Sequence, residues 1–111
     1  MADHVLRRDD LGSTVWAAPG DRVVVLLEEN PTTGYLWQVS RPDPVVGEPE
    51  SEFELQPEGG VGAGGRRRLA FPVARAGSGE LSLELRPPWE AAGKAIDHWH
   101  VQVEATPDHT H

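Results

Sequence analysis

Short alternating runs, each cut off by proline or glycine, decide what this chain can fold into. ELSLELR (Glu80 to Arg86) sets Leu81, Leu83 and Leu85 on one face and polar residues on the other. That is the two-residue period of a half-buried strand. YLWQVSR (Tyr35 to Arg41) repeats it with Tyr35, Trp37 and Val39, and SEFELQ (Ser51 to Gln56) with Phe53 and Leu55 inward. RRRLAFPVA places Leu69, Phe71 and Val73 together, and AIDHWHVQVEA places Trp99, Val101 and Val103 together. RVVVLLEE (Arg22 to Glu29) is apolar at both parities, as a strand covered on both sides would be. STVWAA (Ser13 to Ala18) reads as a short first strand, and Val45 and Val46 mark at most a short edge segment between prolines. Pro19-Gly20-Asp21 and the run from Arg75 to Gly79 supply turns.

No helical period runs beyond about ten residues, and 12 glycines and 10 prolines interrupt the chain. About seven strands separated by turn signals predict an all-β, two-sheet antiparallel sandwich. With 111 residues, one domain is expected. It is placed at residues 11–105, with an N-terminal extension at 1–10 and a frayed tail, TPDHTH, at 106–111.

Charge and composition exclude several classes of function. A net charge of −8 opposes phosphate backbones and anionic membrane surfaces, so neither nucleic acid nor membrane is an expected partner. The basic run Arg66 to Arg68 is read as a solvated strand start. The absence of cysteine removes disulfides, thiolate nucleophiles and cysteine-based zinc sites. MADHVLRRDD has no apolar run of signal-peptide length. A cytoplasmic address is expected, or a secreted one if an export signal was trimmed.

Catalysis has no visible machinery. The five histidines, His4, His98, His100, His109 and His111, lie in the terminal regions, and no G-x-S-x-G motif is present. His98 and His100 share a strand face, but no third ligand is visible, and with Trp99 and Val101 inward the pair is read as solvated. The chain is therefore read as a non-enzyme needing neither metal nor cofactor.

Three loops remain. In NPTTGYLW (Asn30 to Trp37), Pro31 fixes its own torsion and restricts Asn30, while Thr32 and Thr33 are stiff at χ1. Gly34 permits a positive φ on re-entry into the next strand. The residues alone leave two readings open: a preorganised docking tip, which loses little entropy on binding, or a structural turn. PEGGVGAGG (Pro57 to Gly65) either admits a foreign backbone or is a tolerant connector. In PPWEAAGK, Trp89 is either a surface anchor held out by Pro87 and Pro88 or a cap folded over the sandwich end.

Taken together, the three blocks resemble the chagasin family, proteinaceous inhibitors of papain-like cysteine peptidases. That family carries N-P-T-T-G-[YF]-x-W, a G-x-G-G block and an R-P-W block in this order. Here they are Asn30 to Trp37, Gly62-Ala63-Gly64-Gly65, and Arg86-Pro87-Pro88-Trp89. Pro87 stands where the family's arginine precedes the Pro-Trp pair, and Arg86 sits one residue earlier. The resemblance spans roughly Leu11 to Ala105. It implies an immunoglobulin-like sandwich of about eight strands whose three loops enter a peptidase cleft side by side. The implied contacts are Asn30, Pro31, Thr32, Thr33, Gly34 and Tyr35, with the tip at Thr32 and Thr33 against the catalytic Cys–His pair, and Gly62, Ala63, Gly64 and Gly65 on the non-primed side. Trp89 would pack on an aromatic surface on the primed side, and Arg86 and Pro88 are carried over as peptidase-binding residues. Inhibition would be reversible, by a monomer, without cleavage of the inhibitor. The alternative is an immunoglobulin-like binding module that inhibits nothing.

Overall fold

The computed structural model describes residues 2–55, 64–89 and 95–107. Among them are the strands β1 (Asp3–Leu6), β2 (Thr14–Ala17), β3 (Arg22–Glu29) and β4 (Leu36–Arg41). They are followed by β5 (Glu50–Leu55), β6 (Gly65–Pro72), β7 (Gly77–Arg86) and β8 (Asp97–Ala105). Two four-stranded sheets result, one ordered β1-β3-β6-β5 and the other β2-β8-β7-β4. The sandwich read from alternation and turn spacing is thus present, with eight strands.

The core is the layer between the sheets. Val23, Val25 and Leu27 of β3 meet Leu69 and Phe71 of β6 in one wall. Leu81 and Leu83 of β7 with Trp99, Val101 and Val103 of β8 form the other. Each is essentially solvent-free, and each such side chain stabilises the fold by about 1.5–3 kcal/mol. Val24, on the opposite face of β3, is also buried, as the unbroken apolar run implies.

Five features differ from the sequence reading. First, Asp3–Leu6, assigned to an extension, form β1, paired in parallel with β3. DHVL is too short and polar to announce a strand. Its docking is largely polar, with Leu6 alone packed against the core: Asp21 accepts from the backbone N–H of Ala2 (3.0 Å) and bonds the His4 ring (2.9 Å), and Arg22 grips Asp3 with two contacts of 3.0 and 2.8 Å. Second, β2 also pairs in parallel, with β8, so each sheet carries one parallel edge pair.

Third, Leu55 does not face inward. It is 74% exposed, while Phe53 is half-buried beneath Arg67, whose guanidinium carbon lies 5.6 Å from the ring centroid. Leu55 is the last residue of its strand. Fourth, the arginine run is not uniformly solvated: Arg67 shares the inward parity of Leu69 and Phe71, and its side chain is only 16% exposed. Strand β7 also begins at Gly77, inside the segment read as a turn. His98 and His100 lie exposed on the outer face of their sheet.

Candidate functional site

The first loop leaves β3 in one sheet and enters β4 in the other, so it crosses the end of the sandwich. Residues Pro31–Thr33 wind into one 3-10 turn. Asn30 organises it. Its Oδ1 accepts from the backbone N–H of Thr32 (3.1 Å) and from the Thr32 hydroxyl (2.7 Å). Its carbonyl accepts from the backbone N–H (3.2 Å) and the hydroxyl (2.8 Å) of Thr33. The Thr33 Oγ1 in turn accepts the N–H of Tyr35 at 3.2 Å. Such side-chain-to-backbone bonds replace a ladder where none is possible. Gly34 closes the turn at φ +80°, the left-handed region that disfavours any Cβ.

The loop base is held from inside the sandwich. Glu29, whose side chain is fully buried, accepts the backbone N–H of Trp37 at 2.8 Å. The Trp37 indole N–H returns to the Glu28 carbonyl at 2.9 Å. Arg67 satisfies the Glu29 charge through Nη2 at 2.7 Å and Nε at 3.1 Å. A buried carboxylate is tolerated only when paired and hydrogen-bonded in this way. The sequence reading assigned no role to Glu29 or Arg67, although a signal existed. Glu29 continues the inward parity of Val23, Val25 and Leu27, and Arg67 that of Leu69 and Phe71.

The other two loops are hairpins, one from each sheet: β5 to β6 carries the glycine block, and β7 to β8 carries Trp89. Both open at the end that the first loop crosses, because Leu55 pairs with Gly65, Gly65 with Glu29, Leu36 with Arg86 and Leu85 with Asp97. Gly64 touches the first loop directly. At φ +77°, a methyl group there would stand 2.9 Å from the Glu29 carbonyl oxygen and 3.0 Å from Asn30 Cα. On the other side, a methyl group on Gly34 would lie 3.5 Å from Cη2 of Trp89. Counting connections cannot place three loops together, but these two contacts do.

The candidate residues divide as follows. Thr32 and Thr33 are exposed at the tip, while Asn30, Gly34 and Tyr35 are half-buried around it. Gly64 is half-buried and Gly65 opens β6; Gly62 and Ala63 lie outside the described residues. Pro88 is exposed, and Trp89 is 76% exposed even though one edge of its ring rests on the first loop. Trp89 is therefore presented to solvent and is not a lid on the core. Arg86 ends β7 with its Nε 2.5 Å from Glu84, on the sheet face, and only 16% of its side chain is exposed.

Chemically the first-loop tip is neutral and hydroxyl-bearing, with the Trp89 indole beside it. No histidine or carboxylate contacts the Thr32 or Thr33 hydroxyls among the described residues, so neither is an activated nucleophile. The tip is built to be covered, not to react.

The first-loop tip, Gly64 and Trp89 thus stand together at one end of an eight-stranded sandwich. The family model for chagasin family peptidase inhibitors, I42, matches residues 17–103. The chain belongs to that family of cysteine-peptidase inhibitors and is not an enzyme. It is 30% identical over 84 residues to amoebiasin-1 of Entamoeba histolytica, covering 76% of this chain and 82% of the relative. It is 25% identical over 107 residues to chagasin of Trypanosoma cruzi, covering 92% and 97%. In structure it resembles a cysteine protease inhibitor from Entamoeba histolytica with a TM-score of 0.78 at 20% identity, over 95% of this chain and 96% of that one. A more distant structural relative, with a TM-score of 0.53 at 16% identity over 94% of this chain and 89% of that one, was solved in complex with falcipain-2.

Proposed function

We propose that this chain inhibits papain-like cysteine peptidases by seating its three-loop end in the active-site cleft. The Thr32-Thr33 tip covers the catalytic Cys–His pair, the glycine hairpin lies along the non-primed side, and Trp89 packs on the primed side. The observation that carries this reading is the self-contained hydrogen bonding of the Asn30–Tyr35 turn, with Gly64 and Trp89 in contact on either side. A tip whose polar groups are already arranged loses little entropy on docking. A compact 3-10 turn also does not offer the extended backbone that a peptidase cleaves, so occupation of the cleft does not lead to turnover. Arg86, held by Glu84, supports the strand end from which Trp89 projects.

The test is titration of papain activity with the intact protein, with the inhibitor's mass followed over hours. The expected result is reversible inhibition at one inhibitor per enzyme, with no cleavage. Binding without loss of activity would favour the non-inhibitory module instead.

A further inference from the structure

We infer that Leu55 and Ile96, one from each sheet, form two further contacts with the peptidase beside the three-loop wedge. The inference rests on the inhibitory reading above. Neither residue belongs to the three motif blocks.

Among the described residues, Trp89, Leu55 and Ile96 are the most exposed large hydrophobic side chains, at 76%, 74% and 64%. All three stand at the same end of the sandwich. Leu55 closes β5 opposite Gly65, which is itself opposite Glu29 at the base of the first loop. Ile96 immediately precedes β8, where Asp97 faces Leu85. It shares with Asn30, Thr33 and Tyr35 the lining of an open cleft of about 1240 Å³.

Both side chains are carried by strand ends. The Ile96 N–H donates to the Leu85 carbonyl at 2.9 Å, and its neighbour Asp97 is held by the Arg8 guanidinium at 2.9 and 3.0 Å. The Leu55 backbone is fixed by pairing with β6. An aliphatic group placed on a rigid element loses little freedom when a partner covers it. Their occupant is the same peptidase, because both stand at the end of the sandwich that carries Asn30, Gly34 and Trp89, Leu55 from one sheet and Ile96 from the other, with Ile96 lining the same cleft as Asn30 and Thr33. They widen a three-loop footprint toward the roughly 800 Å² per partner of a standard interface. Large apolar groups concentrated at one end of an acidic chain mark an interaction surface.

The test measures papain inhibition constants for Leu55→Ser, Ile96→Ser and Trp89→Ala, with thermal melting in parallel. Each serine variant is expected to melt like wild type and to inhibit about tenfold more weakly, as loss of a covered aliphatic side chain implies. Leu55→Met and Ile96→Leu should retain inhibition. If Trp89→Ala weakens inhibition while both serine variants match wild type, the flanking contacts are overturned and the inhibitory wedge stands. If all three variants match wild type, the wedge falls and the flanking contacts fall with it.

Discussion

Glu29 and Trp37, the residues on either side of the first loop, are tied by a 2.8 Å hydrogen bond from the Trp37 backbone N–H to the buried Glu29 carboxylate. The loop is therefore clamped at its base by a charge that Arg67 neutralises from the next strand. Breaking a buried pair by removing one partner strands the other, at about 3–5 kcal/mol. Glu29→Ala should lower the melting temperature by on the order of 10 °C or more and weaken inhibition as the loop base opens. Calorimetry with a parallel inhibition assay checks this; a melting temperature equal to wild type would show that the clamp carries no stability.

The glycines of the two touching loops should not respond alike. Gly34→Ala places a Cβ at φ +80° but meets only Trp89 at 3.5 Å, so about 1–2 kcal/mol is expected from backbone conformation. Gly64→Ala adds a clash of 2.9 Å with the Glu29 carbonyl oxygen and 3.0 Å with Asn30 Cα. It should cost more than Gly34→Ala and distort the first loop as well. Gly34→Val, β-branched at the same torsion, should exceed Gly34→Ala. Denaturant unfolding of the three variants ranks them.

Acid should release the N-terminal strand. The His4 ring, with the backbone N–H groups of Ala18 and Ala2, lowers the Asp21 carboxyl from the ordinary 3.8 to about 2. A depressed folded pKa means that the stabilisation is fully present above the unfolded value and is lost as pH falls from about 4 toward 2. Amide exchange in β1 should therefore quicken over that window. Asp21→Asn should reduce the dependence, leaving the share carried by the Asp3–Arg22 pair, whose carboxyl is also held below its ordinary range, and should leave β1 less protected at every pH. Exchange in β1 that does not change between pH 4 and 2 would contradict this.

Much of this architecture was legible from alternation, because residues such as Leu81, Leu83, Trp99 and Val101 are buried on the face their parity assigns. Parity failed at Leu55, the last residue of β5, because alternation assigns a face but does not say how much of that face is covered. Strand β1 was missed because, apart from Leu6, it docks through Asp3 and His4 to Arg22 and Asp21, about 18 residues away, and shows no alternating apolar face. The tip's candidate residues were legible through their torsional chemistry. Their juxtaposition was not, since Gly34–Trp89 and Gly64–Asn30 are long-range contacts that only sheet order determines. Glu29 and Arg67 show the converse, charged residues whose inward parity was visible but whose mutual pairing needed the register of β3 against β6.

The four tryptophans should separate into two classes. Trp37 and Trp99 are 5% and 0% exposed, whereas Trp16 and Trp89 are 58% and 76% exposed. Acrylamide should quench single-tryptophan variants retaining Trp16 or Trp89 strongly and those retaining Trp37 or Trp99 weakly. Equal quenching at Trp89 and Trp99 would contradict the presentation of Trp89 to solvent.

The central claim is that the neutral tip and the exposed indole together occlude a peptidase. The most direct measurement is the inhibition constant against papain for Thr32→Ala and Trp89→Ala, with folding verified for each. Loss of one hydroxyl and one methyl contact should weaken inhibition modestly, by about 1 kcal/mol. Loss of a packed indole should weaken it by roughly 2 kcal/mol or more, so Trp89→Ala should be the weaker inhibitor of the two. Wild-type inhibition by both variants would contradict the account.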